Sequence, residues 1–316
     1  MGFKTAPLPG QDEFGVVVTG LTPEMLDDEA VRKSLYDLWI ERGVIVFRGM
    51  EGLDIHLQLS EVFGECEIHP LLRGVDHPRE HLLIIEIEYD KEQGDIYEVE
   101  GEARGAVLPW HSDLVYVEEI NHGGILRPVT LPKRGGETGF IDQITAYESL
   151  SEDLKQKIEN LNAVYRYNVN AAEMMYGPKP DKIIRQGAKI AKAAMHSVVT
   201  QRAIHPMVYT QKDTGRKVLN VSPWFCEDIE GMSREEAKPI LDEVMSYVTN
   251  PDRSYFHKWE LGDMVLWDNW RMVHCCTGVP LNDQRHMRRT TIAGDYGLGR
   301  FEQAGAVVTD EMKMGV

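Results

Sequence analysis

Trp110-His111-Ser112-Asp113 places an imidazole and a carboxylate two residues apart, where the pattern predicts the end of a strand. Because residues i and i+2 of an extended chain project from the same face, His111 and Asp113 could hold one ion together. The pair alone is equally typical of a polar surface. His274, at the end of a later predicted strand, is a possible third ligand, although a lone histidine there is also typical of packed or surface positions. Two histidines and one carboxylate would form a facial triad, which leaves one face of an iron ion open.

The composition is that of a globular protein. Of the 316 residues, 42% are hydrophobic and 27% are charged, which excludes disordered and fibrous classes. The apolar runs at 43–47 and 82–85 fall far short of the roughly 18 residues that a membrane span needs. The first residues contain neither an apolar signal core nor a myristoylation signal. We therefore expect a cytoplasmic protein with no membrane contact.

The net charge narrows the range of possible partners. A net charge of −17 opposes the phosphate backbone, so no nucleic-acid partner is expected. An anionic small molecule would need a concentrated group of basic residues, and the densest such group is Arg-His-Met-Arg-Arg at 285–289.

The four cysteines, at 66, 226, 275 and 276, lack Cys-x-x-Cys spacing and include an adjacent pair. That pattern indicates reduced thiols rather than disulfides.

Periodicity and turn residues predict strands with helices between them. Strands are predicted at 13–20, 44–48, 82–89, 123–131, 205–210, 217–222, 255–259, 264–267 and 290–293, and one more after the glycine turn within 135–142. Helices are predicted at 22–42, 53–63, 144–161 and 233–249. Hairpins, and the absence of Gly-x-Gly-x-x-Gly after any strand, favour an antiparallel barrel over a parallel sheet. No linker divides the chain, so we expect one domain over residues 1–316.

Two stretches predict additions to this core. Residues 90–106 are acidic and glycine-bearing without periodicity, which predicts a mobile, lid-like loop. Residues 170–203 are rich in alanine, lysine and methionine, and we interpret them as a helical insert that forms a lid or an oligomer contact.

A cation downstream of His274 adds to the case for an iron site. Arg285 follows His274 by eleven residues, and Arg289 lies four residues further on. Enzymes that couple iron to 2-oxoglutarate need a cation near the metal for the far carboxylate of that cosubstrate, which a guanidinium can bind with two hydrogen bonds.

With these residues the sequence resembles the taurine dioxygenase and 2,4-dichlorophenoxyacetate dioxygenase family of Fe(II)- and 2-oxoglutarate-dependent enzymes, over roughly residues 15–300. The resemblance is carried by Trp110-His111-Ser112-Asp113, Gly-Gly-Glu-Thr-Gly-Phe at 135–140, Trp267-Asp268-Asn269 with His274, and Arg-His-Met-Arg-Arg-Thr-Thr-Ile-Ala-Gly at 285–294. Together these motifs are highly specific.

The resemblance implies a mainly β fold with flanking helices around a double-stranded β-helix, a jelly-roll or cupin-like core. It assigns the iron to His111, Asp113 and His274, and 2-oxoglutarate to Thr138 and Arg285. Such an enzyme uses O₂ to convert 2-oxoglutarate into succinate and CO₂ while it hydroxylates its substrate. Members of the family are commonly dimers or tetramers, so a homo-oligomer is expected.

The resemblance also gives substrate positions. Arg289 matches the arginine that pairs with the anionic end of the substrate, although it could instead be a structural partner of the site. His69 matches a sulfonate-binding histidine, whereas Leu72 and Val107 replace a tyrosine and an asparagine of the taurine pocket. The predicted substrate is therefore a small organic anion with an apolar body, such as an aryloxyalkanoate, an alkyl sulfate or sulfonate, or a related carboxylate. Trp270 stands where the family usually has arginine, with no effect that the sequence reveals.

Other functions remain open at this stage. A taurine-type sulfonate dioxygenase would use the same triad. A zinc hydrolase or isomerase on a cupin-like barrel would need neither Thr138 nor Arg285, and the sequence lacks the His-Glu-x-x-His of many metallohydrolases. A cupin-like barrel that binds a small acid without turnover is the alternative outside the enzymes.

Overall fold

The computed structural model describes residues 2–68, 82–187 and 201–303, in which β-strands predominate. The strands are β1 Lys4–Ala6, β2 Val16–Thr19, β3 Val44–Phe47, β4 Ile84–Glu88, β5 Ile96–Val99, β6 Glu102–His111, β7 Gly123–Thr130, β8 Thr138–Asp142, β9 Asn162–Tyr165, β10 Lys182–Arg185, β11 Ala203–Pro206, β12 Val208–Thr210, β13 Lys217–Leu219, β14 Cys226–Ile229, β15 Tyr255–His257, β16 Met264–Asp268, β17 Met272–Pro280, β18 His286–Thr290 and β19 Arg300–Phe301.

Five α-helices flank the strands in the described residues. They are α1 Glu29–Arg42, α2 Leu53–Ser60, α3 Gln143–Glu148, α4 Glu152–Ile158 and α5 Arg234–Tyr247, with 3₁₀ turns at Pro23–Asp27, Ala171–Glu173 and Pro251–Arg253. Their boundaries follow local capping. Ser233 and Glu236 form a capping box at the start of α5, as the sequence predicts. The helix predicted over 144–161 is divided in two, because Ser151 caps a new helix by accepting a hydrogen bond from the Leu154 N–H.

Two sheets carry the architecture. A seven-stranded sheet has the order β1-β2-β3-β16-β7-β18-β4, and a six-stranded sheet has the order β10-β5-β6-β17-β8-β15. Among their described pairs, β2 with β3 is parallel and the others are antiparallel. Successive side chains of a strand point to opposite faces, and the central strands β3, β8 and β16 are buried along their whole length. Each sheet therefore has one face for its partner sheet and one for the helices.

The apolar clusters define those faces. Trp267 and Met287 of the larger sheet share a buried cluster with Phe140 of the smaller one, so the two sheets pack face to face. Helix α1 covers the other side of the larger sheet through a cluster that contains Trp39. Helices α3, α4 and α5 cover the smaller sheet in a cluster that contains Ile141. Two facing sheets with helices outside form the jelly-roll arrangement that the sequence predicts.

The prediction of a mobile loop over 90–106 is wrong. Strands β5 and β6 fill most of this range and pair through a tight turn in which Glu100 and Gly101 both have positive φ. Ile96 and Tyr97 are both buried, but the acidic residues around them, Asp95, Glu98 and Glu100, mask the strand in the sequence.

Residues 170–203 are also not helical where the structure describes them. Apart from a 3₁₀ turn, the ordered element there is β10, which adds to the edge of the smaller sheet beside β5. Residues 188–200 lie outside the described residues. The last strand of the larger sheet, predicted at 290–293, is β18 at His286–Thr290.

A buried ion pair joins the two sheets to helix α1. Arg271 is 1% exposed and donates hydrogen bonds to both carboxylate oxygens of Asp142, which is also buried, and to the carbonyls of Ile40 and Glu41. Asp142 in turn caps helix α3. The pair therefore fixes the β16–β17 turn against the start of α3.

Arg271→Ala is expected to lower the free energy of unfolding by about 3–5 kcal/mol, because it leaves the Asp142 carboxylate buried without its partner. Urea unfolding followed by circular dichroism measures the loss. Arg288→Ala is the matched control, since the ion pair of Arg288 with Glu86 is largely exposed and should contribute less than about 1 kcal/mol. Equal losses in the two variants would contradict the assignment of a stabilising role to the buried pair.

Candidate active site

His111, Asp113 and His274 converge at one end of the smaller sheet. His111 ends β6 and pairs directly with His274 on β17, so both imidazoles project from the same face. Asp113 lies in the turn after β6. Its two carboxylate oxygens are 3.7 Å from His111 Nε2 and 3.6 Å from His274 Nε2, too far for hydrogen bonds. One ligand atom from each residue lies within 4.8 Å of the others, so the three could surround one ion.

The protonation states suit a metal. His111 Nδ1 donates to the Pro109 carbonyl at 2.7 Å, which leaves the lone pair on Nε2 facing Asp113. Burial, with a smaller contribution from His111, lowers the pKa of His274 to about 3. Burial opposes the charged form of Asp113, but Arg289 and the two histidines outweigh it and hold the pKa of this carboxyl well below its usual range. Two imidazoles and a carboxylate are a donor set that fits Fe(II).

Arg289 contacts the carboxylate of this triad directly. Its Nη1 donates to Asp113 Oδ1 at 3.1 Å, and its Nη2 lies 2.8 Å from Oδ2. The guanidinium also lies over the Trp267 ring, 5.0 Å from the centroid. The structure thus brings Arg289 to the triad as the sequence predicts, and adds a contact with Asp113 that the alternative, structural interpretation of this arginine anticipated.

Thr138 begins β8, and Arg285 lies against the residues just before that strand. Thr138 shares a face with His274, because Phe140 pairs with His274 and Thr138 with Cys276. The Thr138 hydroxyl accepts a hydrogen bond from Trp259 Nε1 at 3.1 Å, which leaves its own proton free to be donated. Arg285 is 5% exposed, and its Nε donates to the Gly136 carbonyl at 3.1 Å.

Gly136 allows this approach of Arg285. The residue has φ +74°, and a Cβ added there would lie 3.0 Å from Arg285 Cδ. Any other residue would strain the turn and press on the arginine. The paired glycines at 135 and 136 therefore bring the arginine against the strand that carries Thr138.

The predicted substrate positions are only partly described. Val107 lies half-buried on β6 and packs against the cluster that contains Trp110, and its contact with substrate stays a prediction. His69 and Leu72 lie outside the described residues. Trp270, in place of the usual arginine, stacks on His122 with ring centroids 3.8 Å apart and donates its indole N–H to the Ile120 carbonyl. It therefore packs the turn between β16 and β17.

An aromatic surface beside the triad escaped the sequence reasoning. Trp224 meets the His111 ring edge-on at 5.5 Å, and Phe225 stacks on Trp224 at 4.4 Å. Tyr116 and Tyr167 contact Phe225 in turn. Phe225 has φ +75°, a strained conformation for a bulky residue and one found preferentially at functional sites. The available signal was that Tyr116 lies three residues after Asp113.

A jelly-roll protein in which two neighbouring strands of one sheet, and the turn that follows one of them, bring two histidines and one carboxylate together has the architecture of a mononuclear non-haem iron oxygenase. Comparison with known proteins gives the family. The family described as "Taurine catabolism dioxygenase TauD, TfdA family" matches residues 4–291. The chain belongs to this family.

Individual relatives agree with this assignment. The (S)-phenoxypropionate/alpha-ketoglutarate-dioxygenase of Sphingobium herbicidovorans is 28% identical over 93% of this chain and 96% of its own. The alkylsulfatase of Acinetobacter baylyi is 26% identical over 90% of this chain and 84% of its own. A crystal structure of a taurine dioxygenase from Burkholderia xenovorans superposes with a TM-score of 0.73 at 23% identity and covers all of both chains, which supports the fold.

The predicted family, jelly-roll fold and oxidoreductase class are therefore confirmed. So is the predicted dependence on Fe(II), 2-oxoglutarate and O₂, the requirements of this family of dioxygenases, which act on small molecules. No described helix is long and apolar enough to cross a bilayer.

Proposed function

We propose that this chain holds Fe(II) with His111, Asp113 and His274, holds 2-oxoglutarate with Thr138 and Arg285, and hydroxylates a small organic anion with an apolar body. The observation that carries the proposal is the convergence of three metal-binding side chains with Arg289, whose Nη2 lies 2.8 Å from Asp113. When bound, the iron and 2-oxoglutarate supply the activation of O₂, with succinate and CO₂ as products.

The residues of the chain position these groups. The Thr138 hydroxyl and the Arg285 guanidinium offer donors for the far carboxylate of 2-oxoglutarate, and a buried site of this kind strengthens each charge-assisted hydrogen bond. Trp224 and Phe140 lie against His111 and His274 respectively. Their rings exclude water from that side of the triad, which protects the oxidising chemistry from side reactions.

Formal charge favours a monoanionic substrate. The charges of Fe(II) and 2-oxoglutarate cancel, and Asp113 cancels one of the two buried arginines. The site therefore keeps one net positive charge, which favours an anionic partner because uncompensated buried charge is costly. The carboxylate, sulfonate or sulfate of an organic anion supplies one.

The aromatic surface of Trp224, Phe225, Tyr116 and Tyr167 supports an apolar body for this anion. Apolar area that it removes from water is worth about 25 cal/mol per Å². The ammonium group of taurine would instead need an anionic partner, and none of these four side chains provides one. The phenoxypropionate and alkyl sulfate named for two of the relatives are anions of the favoured kind.

Turnover is expected to increase with the apolar bulk of the substrate. Phenoxyacetate should exceed methoxyacetate in kcat/KM by about 60-fold if the ring buries about 100 Å². Succinate release, assayed across aryloxyalkanoates, alkyl sulfates, sulfonates and other carboxylic acids, measures the ranking. Arg289→Gln should depress turnover of every anion in the panel. Taurine as the best substrate, or unchanged kinetics in Arg289→Gln, would overturn this account of the pocket.

One measurement separates this proposal from the alternatives. Under anaerobic conditions, Fe(II) with 2-oxoglutarate should give a visible metal-to-ligand charge-transfer band. A zinc hydrolase or a non-catalytic acid binder would lack this band.

We also propose that the protein forms a dimer or a tetramer and lies in the cytoplasm. The four cysteines are buried free thiols, which supports the cytoplasmic location.

A further inference from the structure

Asn269 binds the backbone of Asp113 from both sides. It lies in the turn between β16 and β17 and is 1% exposed. Its Oδ1 accepts from the Asp113 N–H at 2.8 Å, and its Nδ2 donates to the Asp113 carbonyl at 3.1 Å. The N–H and the carbonyl of Asp113 are therefore both hydrogen-bonded to one buried side-chain amide.

The turn held in this way is a strained one. Leu114, the next residue, has φ +57°, which is uncommon for a residue with a branched side chain. The preceding Ser112 N–H donates to Ser222 Oγ at 3.0 Å. Rotation of the Asp113 backbone, which would carry the carboxylate away from the histidines, would break both bonds to Asn269.

The same amide ties this turn to the strand that carries His274. Asn269 Nδ2 also donates to the Asn121 carbonyl at 3.1 Å, and the Asn269 N–H donates to the His122 carbonyl at 2.8 Å. His274 follows five residues later on β17. Asn269 thus links the turn of Asp113, the residues before β7 and the start of β17.

We propose that Asn269 is a positioning residue that sets the carboxylate of Asp113 against His111 and His274 before metal binds. The inference rests on the proposed function, because it takes these three residues as the metal ligands. An asparagine suits the task because one side chain must accept one hydrogen bond and donate two. Aspartate has the same shape but would face both carbonyls without a donor.

The test is Mn(II) binding measured by isothermal titration calorimetry on the full chain. Loss of an outer partner of a metal ligand typically costs about 10- to 100-fold in affinity, so Asn269→Ala and Asn269→Asp should each weaken Mn(II) binding by that factor. Asn220→Ala is the matched control. Asn220 is also a buried amide, and it donates to the Pro206 carbonyl and to the Tyr296 hydroxyl. Its variant should lose stability while keeping Mn(II) affinity within about twofold of wild type.

A second measurement needs no variant. In metal-free wild-type protein, the Asp113 amide should exchange with deuterium slowly, because Asn269 already holds it. Wild-type Mn(II) affinity in both Asn269 variants would overturn the inference, as would an Asp113 amide that exchanges like an exposed turn. His274→Ala separates a failure of this inference from a failure of the proposed function. If His274→Ala binds Mn(II) as tightly as the wild type, the proposed metal site itself is wrong.

Discussion

His274→Ala is expected to abolish substrate-dependent succinate formation. Loss of an outer partner of a metal ligand costs about 10- to 100-fold in affinity or activity, so removal of one of the three proposed ligands should lower turnover by more than about 100-fold. The variant also opens a space beside Phe140 and Trp267, whose rings lie near His274, so some loss of stability is expected as well.

The control separates metal loss from instability. His56 is a fully buried histidine outside the triad, and its Nε2 hydrogen-bonds to the Ile125 carbonyl. His56→Ala should lower the Tm yet keep the charge-transfer band and turnover of the folded fraction. His274→Ala should lose both, measured anaerobically with Fe(II) and 2-oxoglutarate. Wild-type turnover in His274→Ala would show that the triad assignment is wrong.

The triad was predictable because its signal is local. His111 and Asp113 are two residues apart, and the spacing from His274 to Arg285 matches a family pattern. The extended strand that the sequence predicts at this point nevertheless ends before Asp113. Asp113 lies in a turn rather than on the strand, and the residue after it, Leu114, has a positive φ. The alternation argument selected His111 and Asp113, which the structure brings together with His274, but the backbone conformation differs from the extended one that the argument assumed.

Asn269 and the aromatic surface were not predictable because their contacts are distant in sequence. Asn269 binds a residue that lies 156 positions earlier, and the ring of Trp224 meets that of His111, which is far from it in the sequence. Asn269 belongs to the family motif Trp267-Asp268-Asn269, and Trp224 belongs to no motif that the sequence revealed. A motif identifies residues, but it does not show a hydrogen bond between two turns, which depends on the tertiary structure.

Strands β5 and β10 were missed for a related reason. Their pairing adds two short strands at the edge of the smaller sheet, where one face of each strand meets solvent. Acidic and basic residues on that face, such as Glu98 and Lys182, form an ion pair across the strands. Charged residues at an edge are favourable there, but in a sequence they suggest a loop.

Arg285→Ala is expected to weaken 2-oxoglutarate binding by about 10- to 150-fold, because a hydrogen bond to a charged group contributes about 1.5–3 kcal/mol. The arginine is buried and aligned by the Gly136 carbonyl, so little ordering is needed when the cosubstrate binds. Arg285→Lys keeps the charge but not the two-pronged geometry, and it should recover only part of the affinity. Arg288→Ala, three residues further on, is the control, since Arg288 pairs with Glu86. Titration of the charge-transfer band with 2-oxoglutarate gives the affinity of each variant. An unchanged affinity in Arg285→Ala would show that another residue binds the far carboxylate of 2-oxoglutarate.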